Sequence, residues 1–176
     1  MIDDEKNQAA TARWVVMGVC GCGKSEIGRR LAAALRLPFL EGDAFHSAAN
    51  VAKMGAGIAL DDSDRAEWLL RLQAEIAAAR GRGEGLVLSC SALKRRYRDL
   101  LRAADPSLRF IHLAGERALL AERMQERSAH FMPTSLLDSQ LRDLEPLAAD
   151  EAGMRLDISR APAALVHDIL NAMTHR

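Results

Sequence analysis

The most chemically loaded stretch of this 176-residue chain is Gly18-Val-Cys-Gly-Cys-Gly-Lys24-Ser25, which satisfies G-x-x-x-x-G-K-[ST] in full. Each part answers a need of a bound polyphosphate. Gly18, Gly21 and Gly23 let the backbone curl so that its N–H groups converge on phosphate oxygens, and the helix that follows adds the positive end of its dipole. Lys24 reaches the β- and γ-phosphates, and the Ser25 hydroxyl completes the shell of a Mg²⁺ ion that otherwise keeps several waters. Cys20, Cys22 and Glu26 fill out the wall of the same loop. A Cys-x-Cys pair with no matching pair elsewhere falls short of the roughly four ligands of a structural metal site, and redox pairs carry two intervening residues, so both cysteines read as small loop residues. The loop's positive field would lower their thiol pKa and leave them sensitive to oxidation. The loop implies a bound nucleoside triphosphate and transfer of its γ-phosphate as the chemistry.

A phosphoryl donor needs an acceptor site. In Glu41-Gly-Asp43, two carboxylates lie one residue apart at a predicted strand end and so face one side. Asp43 would accept the proton of an attacking hydroxyl, and Glu41 would reach the hydration shell of Mg²⁺. His46, Asn50 and Lys53 share a helical face as a polar stripe with varied hydrogen-bonding capacity. Arg65, at the start of a further helix, suits either a bidentate grip on an anion or an exposed helix face. Lys94, Arg95, Arg96, Tyr97 and Arg98 form a dense cluster, read either as an exposed basic face or as a clamp for a carboxylate-bearing acceptor. Arg123 and Arg127, four apart, would neutralise charge on the transferring phosphoryl group from a segment that closes over the site, spanning about 123–140. The competing reading there is a helix ion-paired through Glu122 and Glu126. Ser89-Cys-Ser stands where most P-loop NTPases carry a Mg²⁺-binding Asp, which argues against a GTPase or motor ATPase.

The elements that must position these residues follow from hydrophobic periodicity. Strands are predicted at Arg13–Gly18, Pro38–Glu41, Leu86–Cys90, Leu108–Leu113 and Met154–Ile158. Helices are predicted at Lys24–Arg36, His46–Met54, from a cap at Asp62 or Ser63 to Ala79, and at Lys94–Ala103, Arg117–Arg127, Thr134–Leu144 and Pro162–Met173. Trp68 and Leu69 read as core. This alternation predicts an α/β, three-layer P-loop fold: a five-stranded parallel sheet flanked by helices, with a mobile helical lid. Ligands of such sheets sit beyond the carboxyl ends of the strands, where the glycine loop, Asp43 and Lys94 all fall.

Composition bounds the rest. The length suits a single domain over 1–176 with residues 1–12 disordered. Lys plus Arg and Asp plus Glu balance at 24 each, which argues against a nucleic-acid or membrane-surface partner. Three cysteines are too few for a disulfide scaffold, and Met1–Thr11 is polar and acidic with no leader or spanning run, so cytoplasm is the expected compartment.

From about Trp14 to Val166 the chain resembles the gluconate kinases of the shikimate-kinase-like branch of P-loop small-molecule kinases. The blocks that carry the resemblance are Glu41-Gly-Asp43-Ala-Phe-His46-Ser-Ala-Ala-Asn50-Val-Ala-Lys53-Met54, Gly57-Ile-Ala-Leu60-Asp-Asp-Ser-Asp64-Arg65, Ser89-Cys-Ser-Ala-Leu-Lys94-Arg-Arg-Tyr97-Arg98-Asp99 and His130-Phe-Met-Pro133-Thr-Ser-Leu-Leu137-Asp-Ser139-Gln140. The resemblance implies phosphorylation of D-gluconate on its 6-hydroxyl with ATP and Mg²⁺ by a homodimer. By position, Asp43 would be the base, and Arg65, Lys94 and Arg98 acceptor-side residues together with His46 and Lys53. Arg123 and Arg127 would be lid arginines, and Ser159-Arg160-Ala161-Pro162 would lie beside adenine. Departures from the family pattern are Cys20 and Cys22 where Ser is usual, Glu26 where Ser or Thr is usual, and Ser47, Ala59 and Glu67 where Pro is common. A kinase for another sugar acid, or a regulatory or nucleic-acid-binding P-loop protein, is the alternative; the zero net charge counts against the latter.

Overall fold

The computed structural model describes residues 10–126 and 134–174. Its elements run β1 (Arg13–Met17), α1 (Lys24–Leu35), β2 (Phe39–Glu41), a 3₁₀ turn (Gly42–Phe45), α2 (Ala48–Gly55), α3 (Asp62–Gly81) and β3 (Leu86–Ser89). They continue with α4 (Arg95–Ala104), β4 (Arg109–Ala114), α5 (Arg117–Glu126), α6 (Thr134–Asp143), β5 (Gly153–Asp157) and α7 (Pro162–Thr174). The sheet order is β2-β3-β1-β4-β5, and every neighbouring pair is parallel.

Trp14 to Met17 on β1 are all buried, as a central strand with helices on both faces requires. On one face Trp14 and Val16 pack with Ile27 and Leu31 of α1 and Leu165 and Ile169 of α7. On the other, Val15 and Met17 pack with Trp68, Leu72 and Ile76 of α3 and Leu101 of α4. The chain leaves β1 toward β3 and β2 and later returns to β4 on the opposite side, so the carboxyl end of β1 is the switch point of the sheet. The glycine loop leaves β1 there. Gly18 has φ 142, and a Cβ on it would lie 2.6 Å from the Leu113 carbonyl oxygen, so only glycine lets the chain turn this close to β4.

The predicted strands and helices are present, with shifted ends. The helix expected from His46 begins at Ala48, because the Ser47 hydroxyl accepts the Asn50 N–H at 3.1 Å and caps it there. The cap of α3 is Asp61, not Asp62 or Ser63. Asp61 Oδ1 accepts the Asp64 N–H at 2.8 Å and Asp64 Oδ2 accepts the Asp61 N–H at 3.0 Å, a reciprocal capping box. Asp62 serves α4 instead, accepting from Lys94, Arg96 and Tyr97. Of the segment expected to be disordered, residues 10–12 are tied to the sheet: the carbonyls of Ala10 and Ala12 accept from Gly85 and Leu86 at 2.8 and 3.0 Å.

Candidate active site

The site is a cavity of about 280 Å³ above the carboxyl ends of β1 and β3. Its floor is the glycine loop and the first turn of α1, contributing Cys20, Gly21, Gly23, Lys24 and Ser25. Lys24 Nζ donates to the Val19 carbonyl at 3.0 Å, which folds the ammonium over the loop. Gly18 and Cys22 lie behind this floor. Cys22 is part of the core, and Gly18 donates to the Ser91 carbonyl at 3.3 Å. Glu26 turns outward to Arg30 at 2.9 Å.

The wall opposite is the 3₁₀ turn with α3. Gly42 packs so tightly on β3 that a Cβ there would overlap the Ser89 carbonyl oxygen. The Gly42 N–H donates to Ser89 Oγ at 3.1 Å, and its carbonyl accepts Trp68 Nε1–H at 2.8 Å. Strand, turn and helix are thereby fastened together, and the next residue, Asp43, is thrust into the cavity with its side chain 69 % exposed. His46 lies against it, with Nε2 at 4.0 Å from Asp43 Oδ1 and its ring stacked on Trp68 at 4.3 Å. Burial lowers the His46 pKa; Asp43 pulls it the other way and Arg65 reinforces the fall, so the ring is neutral near pH 7.

Arg65 enters the same cavity from α3. Its side chain is only 7 % exposed, and among the described residues its Nη1 has no hydrogen-bond partner and meets the Asp143 carboxylate only at 3.9 Å. A guanidinium in that condition is a strong site for an anion, since a buried donor without a partner is costly.

The other predicted site residues lie outside the cavity wall. The Glu41 carboxylate accepts the Ser89 hydroxyl and faces Arg29 at 3.4 Å. Lys53 is bound to Asp64 at 2.7 Å. Lys94 is bound to Asp62 at 3.0 Å, a contact that raises its pKa. Arg160 pairs with Asp168, and Pro162 opens α7 beside it. Arg123 donates to the Ile158 carbonyl at 2.7 Å, reaching from α5 to the exit of β5. Arg127 lies outside the described residues, as does part of the expected lid.

Two expectations are corrected. Arg98 does not reach the acceptor cavity. Its guanidinium is fully buried, paired twice with Glu151 at 2.7 Å and bonded to the carbonyls of Ala92 and Glu145, both at 3.0 Å. It clasps the chain before β5 onto α4. The loop cysteine Cys20 is not activated either. Burial pushes its thiol up to about 11, and the nearby Lys24 charge is too weak to reverse that.

Within the segment 123–140 expected to close over the site, sequence reasoning singled out the arginines and missed the side chains that line the cavity. Met124 of α5 and Leu136 and Gln140 of α6 line the cavity, and Gln140 Oε1 accepts the loop N–H of Cys20 at 2.7 Å. Leu136 and Gln140 are four apart on one face, so the signal existed, but a lone Gln on a polar helix carries no chemistry by type. Trp68 is core, as expected, and also a wall residue.

Comparisons with known proteins agree with this fold. The family model for an AAA domain matches residues 14–147. A gluconokinase from Gluconobacter oxydans (strain 621H) is 44% identical over 156 residues, covering 89% of this chain and 88% of its own. The solved structure of a gluconokinase from Sinorhizobium meliloti 1021 superposes with a TM-score of 0.85 at 43% identity, covering 93% of this chain and 92% of its own. That of a sugar kinase from Janibacter sp. HTCC2649 gives a TM-score of 0.87 at 46% identity, covering 91% and 92%.

Proposed function

This chain belongs to the gluconokinase family of P-loop kinases, and from that premise we propose that it transfers the γ-phosphate of ATP to the 6-hydroxyl of D-gluconate, giving 6-phospho-D-gluconate and ADP. The observation that carries the reading is one cavity shared by a phosphate cradle, an exposed carboxylate and a guanidinium with an unbonded nitrogen: Lys24 with Ser25, Asp43, and Arg65. Gluconate has an anionic end and a hydroxyl end. Arg65 binds the carboxylate, and Asp43 receives the proton of the 6-hydroxyl as that oxygen attacks the γ-phosphorus. Lys24 and the loop N–H groups hold the β- and γ-phosphates through the transfer, and Arg123 steadies the nucleotide side from the exit of β5, near Arg160 and Pro162.

The donor set fits Mg²⁺ carried in with the nucleotide. Among the described residues no cluster of three or more His, Cys, Asp or Glu side chains could hold a metal by itself, and Ser25 lies at the cavity floor. An ion held mostly by phosphates and water needs only such sparse protein ligation. Ser25 would bind it directly and Glu41 through water, and its charge would offset that of the phosphates. The resemblance also supports a homodimer working in the cytoplasm. No described helix is long and apolar enough to cross a membrane.

A coupled assay with ATP, Mg²⁺ and a panel of acceptors tests the reading. Turnover with gluconate far above that with other aldonic acids, shikimate or nucleoside monophosphates is expected. No turnover with gluconate alongside robust turnover of another acceptor would sink it.

A further inference from the structure

Asn50 is an uncharged residue of α2 that is only 5% exposed, and the proposed transfer gives it no role. Its carboxamide nitrogen donates to the Asp64 backbone carbonyl at 2.7 Å and lies 3.4 Å from His46 Nδ1. The orientation of that amide follows from its partners. Turned over, its oxygen would face the Asp64 carbonyl oxygen, acceptor against acceptor. With the nitrogen in place, one N–H serves Asp64 and the other is directed at His46 Nδ1. Asp64 is itself held by the capping box and by Lys53 at 2.7 Å, so the support behind Asn50 is rigid.

A ring nitrogen that accepts a hydrogen bond carries no proton, so the proton of the neutral imidazole sits on Nε2. The stack on Trp68, at an interplanar angle of 15°, fixes the ring plane, and Nε2 is the nitrogen beside Asp43. The separation of 4.0 Å is too long for a direct bond. The cavity therefore presents a carboxylate acceptor and an N–H donor side by side. A terminal vicinal diol is complementary to that pair: the reacting hydroxyl gives its proton to Asp43, and the neighbouring hydroxyl oxygen accepts from Nε2–H. The charged groups facing the ring are Asp43 from the 3₁₀ turn and Arg65 from α3.

We propose that Asn50 is a positioning residue that locks His46 as the Nε2–H tautomer, and that His46 thereby reads the hydroxyl next to the one phosphorylated. The second half rests on the gluconate reading, in which that group is the 5-hydroxyl; the first half does not.

The test has two arms. In the whole protein labelled with ¹⁵N-histidine, and with His46→Gln to assign the resonance, long-range ¹H–¹⁵N correlation is expected to show His46 protonated on Nε2 alone. A proton on Nδ1, or a mixture of tautomers, overturns the assignment of Asn50. Asn50→Asp replaces the donor by an acceptor and is expected to move the proton to Nδ1; if that variant does not fold, the wild-type spectrum still decides. In the second arm, kcat/KM is compared for gluconate and its 5-deoxy analogue in the wild type and in His46→Phe, which keeps the stack and removes the donor. Loss of about tenfold on removing either partner, with little further loss on removing both, is expected for one hydrogen bond. Losses that multiply overturn the role of His46. If gluconate is not turned over at all, the gluconate reading fails while the spectrum still reports on Asn50.

Discussion

Arg65 and Arg98 are both buried arginines, yet their surroundings are opposite. Arg98 sits in a clasp where every polar direction is filled: Glu151 on two nitrogens, backbone carbonyls on the rest, and Arg102 on the far side of the same carboxylate. Arg65 sits beside Asp43 and His46 in a wall where polar groups are held in place but left incompletely bonded. Burial alone therefore says little about a charged residue. Whether its hydrogen-bonding capacity is exhausted by the protein separates a structural charge from one that awaits a ligand.

That contrast can be broken by substitution, and the largest effect is expected in the wall. Asp43→Asn keeps the shape and removes the base, so kcat should fall by about 10²–10⁴-fold with ATP affinity and melting temperature near wild type. Steady-state kinetics with nucleotide titration check this; a collapse of ATP binding with kcat retained would move Asp43 out of the acceptor half. Next is the clasp. Arg98→Met leaves Glu151 buried without its main partner and should cost about 3–5 kcal/mol of stability, whereas Arg98→Met with Glu151→Leu should recover most of that loss. Denaturant unfolding of the two variants reads the difference.

The Glu151 carboxyl gives the same clasp a pH signature. Burial works against its charge, but the bonds from Arg98 and the Ala148 N–H prevail and bring its pKa down from 4.5 to about 2. A carboxyl depressed in the folded state contributes stability above its unfolded value, and that contribution is lost as pH falls from about 4.5 toward 2. The acid limb of the stability curve should flatten in the double variant.

Arg65→Met comes third. It should leave the melting temperature nearly unchanged and raise the KM for gluconate by about tenfold to a hundredfold, because the lost partner is the ligand rather than the fold. An unchanged KM with a large stability loss would erase the distinction from Arg98. The smallest effect is expected at His112 on β4, which among the described residues has no hydrogen-bond partner at either ring nitrogen and is only 1% exposed. Burial, with Arg155 and Arg98 adding to it, lowers its pKa from 6.5 to about 4. The unfolded chain takes up that proton first, so the fold loses stability as pH drops from about 6.5 to 4. His112→Leu should add about 1 kcal/mol near neutral pH and remove that slope; a drop in stability would mean that the ring has a partner after all.

The difference between the two arginines also marks what was legible in sequence. Strands and helices follow from local pattern, because a buried run such as Trp14–Met17 and an amphipathic run such as Lys24–Leu35 declare themselves within a dozen residues. The glycine loop and Asp43 were legible because their chemistry depends on types at fixed short spacing. Arg98 was not, since its partner Glu151 is 53 positions away and lies outside every motif. The same holds for Gln140, 120 positions from the amide it binds. Lys94 and Arg95 looked like a free basic patch because Asp62 and Asp150, which neutralise them, come from other elements. Pairing across long separations is a property of packing, and no local window contains it.

The tight seat of Gly42 on β3 has a meaning for how this site can change over time. With no room for any side chain at that position, the spacing between two parallel strands becomes the ruler that sets where the Asp43 carboxylate stands. Ala44, exposed in the same turn, meets no such limit. The acceptor that fits can therefore drift through the rim and the roof, while the point at which a proton leaves the substrate stays pinned to the sheet.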